Sequence, residues 1–165
     1  ILAEHYILRP HGEHYKMALT DKSRLSNFDT SEVTGLSISN LSEVMSFFNK
    51  VYPGNYFEPR MLETNKYYGI RDSGELISVA GVHVCSSRYR VAALGNIATY
   101  PKYRGRGYGT TVTAGVCKSL LPEIEHVGLN VKTDNKSAIK CYEKLGFEAI
   151  DSYGEFNAEL KLSNI

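Results

Sequence analysis

The stretch that decides the fold is PKYRGRGYGTTVTAGVCKSL, residues Pro101–Leu120. Gly105, Gly107 and Gly109 alternate with Arg106 and Tyr108, and the run passes directly into a helical pattern with Val112, Val116 and Leu120 along one side. A turn that opens a helix presents backbone N–H groups without intrahelical partners and the positive end of the helix dipole, and so binds anions. Glycine lets the backbone approach such an anion with no Cβ in the way. On this logic Gly105, Gly107 and Gly109, with the amides running to Thr110, form a candidate phosphate cradle. A lone glycine-rich turn is equally well a tight strand-to-helix connection, so the rest of the chain must decide.

Spacing removes two nucleotide readings. A Walker A loop needs Lys-Ser/Thr after its last glycine, and here the residues are Thr110-Thr111. A dinucleotide fingerprint needs G-x-G-x-x-G after the first strand of a βαβ unit. This turn is G-x-G-x-G, late in the chain, behind what reads as an antiparallel meander.

Working outward, KYYGIR (66–71), ELISVAGVHVCS (75–86) and RVAALGNIATY (90–100) are successive strands, the first two joined by Asp72-Ser73-Gly74. Pro101 ends the third. Upstream, LSEVMSFFNKV (41–51) sets Val44, Phe47, Phe48 and Val51 at i, i+3, i+4 and i+7, an amphipathic helix stopped by Pro53-Gly54. A short helix over Pro59–Thr64 follows, whereas residues 21–32 are polar and loop-like. Residues 3–9 and 14–20 have strand content about His11-Gly12, which predicts a hairpin. Downstream come Pro122 as a helix stop, a strand over 126–133, a helix capped by Asp134-Asn135 and closed by Gly146, and strands over 147–153 and 155–162 meeting at Gly154. The order is that of a mixed α/β sheet.

The chain has 165 residues, 42% hydrophobic and 22% charged, which suits one globular domain with its own core. A net charge of +1 gives no global field for nucleic acid or an anionic membrane, so neither is expected as a partner. No apolar run reaches the roughly 20 residues that span a bilayer. The first residues lack the pattern of a secretory signal and an initiating Met, so a trimmed chain or part of a longer one is expected. Cys85, Cys117 and Cys141 are odd in number and widely spaced, which reads as reduced cytoplasmic thiols with no metal site.

The second constellation is NVKTDNKSAIKCYEKLGF, in which Asn135, Ala138 and Tyr142 lie at i, i+3 and i+7 on one stripe of a helix. A small residue between two polar ones leaves a slot for a ligand. A half-buried core tyrosine is the plain alternative for Tyr142.

Together the segments resemble the GNAT superfamily of acyl-CoA-dependent N-acyltransferases. Arg104 to Gly109 matches its [RQ]-x-x-G-x-[GA] signature, and Asn135 to Phe147 its N-x-x-A-x-x-x-Y signature with an E-K-x-G-F ending. The resemblance covers roughly residues 36–160. It leaves the first thirty or so residues unaccounted for, so the expectation is an accessory segment at 1–30, a hairpin or the remnant of a preceding domain, ahead of an acetyltransferase domain at 31–165. That domain would be a mostly antiparallel sheet of about seven strands, flanked by helices and with one splayed parallel pair. It also implies acetyl-CoA as co-substrate, with its pyrophosphate on the amides of Arg104, Gly105, Arg106, Gly107, Tyr108, Gly109 and Thr110. The pantetheine arm would pair with Ile97, Ala98 and Thr99 as an added strand. Tyr142 would protonate the departing sulfur, a role open to a phenol that is protonated at neutral pH. Such domains often pair through their last strands, here 147–162, so a homodimer is a further implication.

The acceptor, a small-molecule or peptide amine, is not specified by any motif, nor is the general base. Glu58, Glu63, His83 and Asn96 are the candidates, although His83 alternates with Ile77, Val79 and Cys85 and so reads first as a core histidine. Tyr52, Tyr56, Phe57, Tyr67 and Tyr68 line either an acceptor pocket or ordinary core. Direct acetyl transfer to an amine and CoA binding without chemistry both remain open.

Overall fold

The computed structural model describes residues 2–161. A single helical turn, α1 (Leu2–His5), leads into β1 (Tyr6–Leu19). After a 3₁₀ helix at Lys22–Asn27 come β2 (Thr34–Leu36), α2 (Leu41–Val51) and a second 3₁₀ segment at Pro59–Thr64. Then follow β3 (Tyr67–Asp72), β4 (Glu75–Ser86), β5 (Val91–Thr99), α3 (Tyr108–Leu120), β6 (His126–Lys132), α4 (Lys136–Leu145) and β7 (Phe147–Leu160). They form one seven-stranded sheet in the order β2-β3-β4-β5-β6-β1-β7. Every neighbouring pair is antiparallel except β5 and β6, which are parallel.

The periodicities explain the layers. On α2 the i, i+3, i+4, i+7 set of Val44, Phe47, Phe48 and Val51 is buried against Leu36, Leu62, Tyr67 and Val79. On α3, Val112, Val116 and Leu120 are each fully buried, and they pack with Leu145 and Phe147 against Ala80, Val82, Leu94, Leu129 and Met17. Ala80 follows Val79 yet belongs to the other cluster, so α2 lies on one face of the sheet and α3 and α4 on the opposite face. Burying a leucine, valine or phenylalanine contributes about 1.5–3 kcal/mol, which makes these two stripes the main source of cohesion. Arg71 of β3 clamps α2 by donating through Nε and Nη2 to the two carboxylate oxygens of Glu43, at 2.9 and 2.6 Å.

Both ends of the chain differ from the sequence expectation. No hairpin forms at His11-Gly12: β1 runs through as one strand, with His11 as an extra residue between the pairs Pro10–Phe156 and Gly12–Glu155. Nor does the chain turn at Gly154, which pairs with Glu13 inside a continuous β7; residue 162 of the expected last strand lies outside the described residues. A local turn was read where a long-range ladder wins. β1 pairs with β6 from His14 to Ala18 and with β7 from Tyr6 to Leu19, so the first segment supplies an interior strand of the sheet. The short strand β2 went unread because only three of its residues pair with β3.

Candidate active site

The parallel pair opens into a fork. β5 pairs with β6 only over Val91–Leu94 against His126–Leu129, although the strands run on to Thr99 and Lys132. β5 bulges just past the fork: Val79 faces Ala98 and Gly81 faces Gly95, leaving Asn96 and Ile97 opposite Ala80. Asn96 takes the extra turn in the left-handed region at φ 51, where asparagine is tolerated better than most residues. Ile97, Ala98 and Thr99 therefore lie along the part of β5 that β6 has left.

The glycine turn closes that end. Gly107 is the N-cap of α3 at φ 91, and Gly105 has φ 76. A Cβ at either would meet nothing within 4 Å, so this backbone fronts open space. The first helical bond runs from Thr111 N to Gly107 O at 3.0 Å. The N–H groups of Tyr108, Gly109 and Thr110 consequently precede the ladder, pointing outward at the positive end of the helix. Thr110 Oγ1 lies 3.1 Å from Cys141 Sγ, tying this turn to α4. Arg104 Nε donates to Thr99 O at 3.1 Å, and Lys102 and Arg106 sit 4.9 and 5.6 Å from the centre of the Tyr103 ring. Three cations thus belong to this turn and the segment just before it, on a chain of near-neutral charge. The donor set and the open backbone fit a pyrophosphate.

The second stripe is divided between tasks. Asn135 is a cap, its Oδ1 accepting from Ala138 N at 3.2 Å and from Ser137 Oγ at 3.1 Å. Ala138 is half-buried against the main core. Tyr142 is 7% exposed, with its ring centre 6.0 Å from that of Phe147. Burial pushes its phenol above the ordinary tyrosine range, with Cys141, Tyr52 and Cys117 adding to the effect. Tyr52 caps the end of α2, so Tyr142 is within electrostatic reach of a residue on the other face of the sheet. The phenol has no hydrogen-bond partner among the described residues. Burial also pushes the Cys117 thiol up to about 12 and raises that of Cys141, so neither is a thiolate nucleophile at neutral pH.

On the α2 face, Arg60, Met61, Glu63, Thr64 and His83 line a cavity of about 430 Å³. Asn96 is 5% exposed and donates through Nδ2 to Tyr67 Oη at 2.9 Å, while that hydroxyl donates to Met61 Sδ at 3.2 Å. Glu58 is held by Arg60 Nε at 2.7 Å and is not among the residues that line the cavity. His83 is exposed instead of being the core histidine expected from alternation. The reason is a bulge: Val82 pairs with Leu94 and Val84 with Ala93, so His83 is the extra residue and the alternation breaks there. The aromatic group is also split. Phe57 and Tyr67 pack in the core beneath α2, Tyr68 packs against the opposite cluster, and Tyr52 and Tyr56 are exposed.

Gly95 was missed by sequence reading. A Cβ there would fall inside the His83 imidazole, and a glycine inside a strand is the available signal for such a close approach. No cluster of three or more His, Cys, Asp or Glu suited to a metal occurs among the described residues, and no described helix is long and apolar enough to cross a membrane.

Comparison with known proteins places the chain in a family and matches its fold. An uncharacterized protein of Mycobacterium leprae is 34% identical over 110 residues, which is 60% of this chain and 28% of that one. The chain therefore spans little more than a quarter of that relative. Among solved structures, a putative acetyltransferase of the GNAT family from Novosphingobium aromaticivorans superposes with a TM-score of 0.78 at 22% identity, covering 93% of this chain and 68% of that chain. The ribosomal-protein-S18-alanine N-acetyltransferase of Escherichia coli gives 0.58 at 18% identity, covering 81% and 97%. The model of the acetyltransferase (GNAT) family matches residues 40–147, which include the fork, the glycine turn and α4. The chain belongs to the GNAT acetyltransferase family.

Proposed function

We propose that this protein transfers an acetyl group from acetyl-CoA to a primary amine by direct attack on the thioester. The observation that carries the reading is the fork itself. β5 leaves β6 after Leu94, and the free strand leads straight to the outward-facing amides of Tyr108, Gly109 and Thr110. An extended pantetheine arm needs a strand edge to pair with, and its pyrophosphate needs an anion site at the end of that edge. Here Ile97–Thr99 and the glycine turn supply the two in succession. The thioester would lie at the fork, where the β5–β6 pairing stops. Transfer then needs an unprotonated amine on one side and a proton for the departing sulfur on the other. Tyr142, kept protonated by burial, is suited to supply the second. The raised thiols of Cys117 and Cys141 favour direct attack over a covalent acyl-cysteine.

Titration calorimetry with acetyl-CoA, CoA, ATP and NAD tests the donor; failure of every CoA species to bind overturns the reading. Free-thiol release with spermidine, a peptide beginning with alanine and kanamycin tests the acceptor. Binding of CoA with no thiol released from any of the three leaves a CoA-binding module in place of an enzyme. The reduced cysteines and the use of acetyl-CoA support a cytoplasmic location. β7 ends the sheet, so the homodimer implied by the family would pair along its outer edge. Sedimentation checks that arrangement.

A further inference from the structure

His83 stands at the mouth of the fork without a structural task. As the extra residue of the β4 bulge it has no partner opposite it on β5, and bulges beside active sites commonly re-aim a side chain. Its ring lies on the backbone of Gly95, so close that any Cβ there would overlap the imidazole. Gly95 directly follows Leu94, the last residue of β5 to pair with β6. The imidazole is thus seated where the strands part, on the α2 face, at the wall of the 430 Å³ cavity. It is exposed, and neither ring nitrogen has a hydrogen-bond partner among the described residues. Next to it, Asn96 is locked by its bond to Tyr67, and Tyr67 commits its own proton to Met61 Sδ. The Asn96 amide is therefore oriented by the network, with Nδ2 toward Tyr67 and its carbonyl oxygen unclaimed.

We infer that His83 is the general base of the transfer, taking a proton from the acceptor's ammonium group within this cavity, an inference that rests on the acetyl-transfer reading above. One N–H bond of the ammonium breaks and its proton passes to the imidazole. The freed lone pair forms the C–N bond to the thioester carbonyl carbon. The C–S bond breaks with its electrons on sulfur, which takes the phenolic proton of Tyr142. The surplus proton on the new amide nitrogen returns to the phenolate, and the imidazolium gives its proton to solvent, so each turnover releases one proton. The charged and titratable groups facing His83 across the cavity are Glu63 and Arg60 of the Pro59–Thr64 segment. Arg60 is occupied by Glu58 at 2.7 Å, and Glu63 has no ion-pair partner among the described residues. On β3, Tyr67 is already hydrogen-bonded to Asn96, and on β5 Gly95 lies against the ring.

The test uses whichever of spermidine, the alanine-leading peptide or kanamycin wild type acetylates fastest. kcat/KM is followed from pH 6 to 9.5 for wild type, His83→Gln and Gly95→Ala, with CoA affinity measured in parallel. The base must be neutral to act, so wild-type activity should fall toward acid pH. His83→Gln should lose about 10²–10⁴-fold at pH 7 with CoA affinity unchanged. Its deficit should then shrink about tenfold per pH unit, because the variant relies on amine already deprotonated in solution. Gly95→Ala, which displaces the ring, should give the same pH signature in weaker form. A His83→Gln variant with wild-type kcat/KM, or with an equal deficit at every pH, overturns the role of His83 alone. A wild type that releases no thiol with any of the three amines overturns the transfer reading as a whole.

Discussion

The turn from Arg104 to Thr110 and the cavity beside His83 lie at the same fork, yet one is built from backbone and the other from side chains. The proposed donor site would work through the amides of Tyr108, Gly109 and Thr110, and there the side chains matter mostly by being absent, as at Gly105 and Gly107. In the proposed acceptor site His83, Asn96 and Glu63 come from three separate segments. Two of them are placed by bulges that no local pattern announces. A backbone site restricts its sequence, because only glycine adopts φ 91 without strain. A side-chain site leaves its sequence free so long as some strand delivers the right group.

Substitutions on each side should therefore fail in different ways. The largest separation is expected for Tyr142→Phe, which should lower kcat by about 10²–10⁴-fold while CoA affinity holds. Loss of CoA binding with unchanged turnover at saturation would place Tyr142 on the donor side instead. Gly107→Val comes next. Forcing a β-branched residue into the left-handed region costs about 1–3 kcal/mol, so the CoA dissociation constant should rise by roughly 5- to 150-fold, with kcat at saturating CoA far less affected. Calorimetry and saturation kinetics on one preparation check the split. Asn135→Ala should affect neither side's chemistry directly. It removes a cap worth about 1 kcal/mol and should appear as a melting temperature lower by about 2–4 °C. A large loss of CoA affinity would mean that Asn135 holds the ligand as well as the helix.

The smallest effect concerns alkaline stability. The folded Tyr142 phenol keeps its proton to higher pH than the same phenol in the unfolded chain, because burial raises it. Between those two values the native state binds more protons, so stability is intact below the unfolded-state pKa of about 10 and falls as pH rises above it. Tyr142→Phe should flatten that fall. Urea midpoints at pH 8 and 10.5 measure it, and equal slopes for both proteins would refute the assignment.

The same contrast explains what could be read from the sequence. The helices over 41–51 and 108–120 declared themselves through their spacing, and the meander from 66 to 100 through its turns. The turn into α3 was legible because a backbone at positive φ, as at Gly105 and Gly107, leaves a glycine signature. His83 was misplaced because alternation assumes an unbroken ladder, and the bulge breaks it at that residue. β1 was read as a hairpin because its partners lie more than a hundred residues away. Nothing within a window of ten can report that Tyr6 meets Leu160.

That distant pairing also sets the order of events during synthesis. Within this sheet β1 is synthesised ahead of the other strands, yet its two neighbours, β6 and β7, come last. A nascent chain can assemble β2 through β5 with α2 and α3 while β1 waits unpaired. Contacts this remote in sequence slow folding, and a waiting strand edge is open to wrong partners. Closure of the sheet is thus a late step, and a chain released before β7 is complete carries its first strand as an unsatisfied edge.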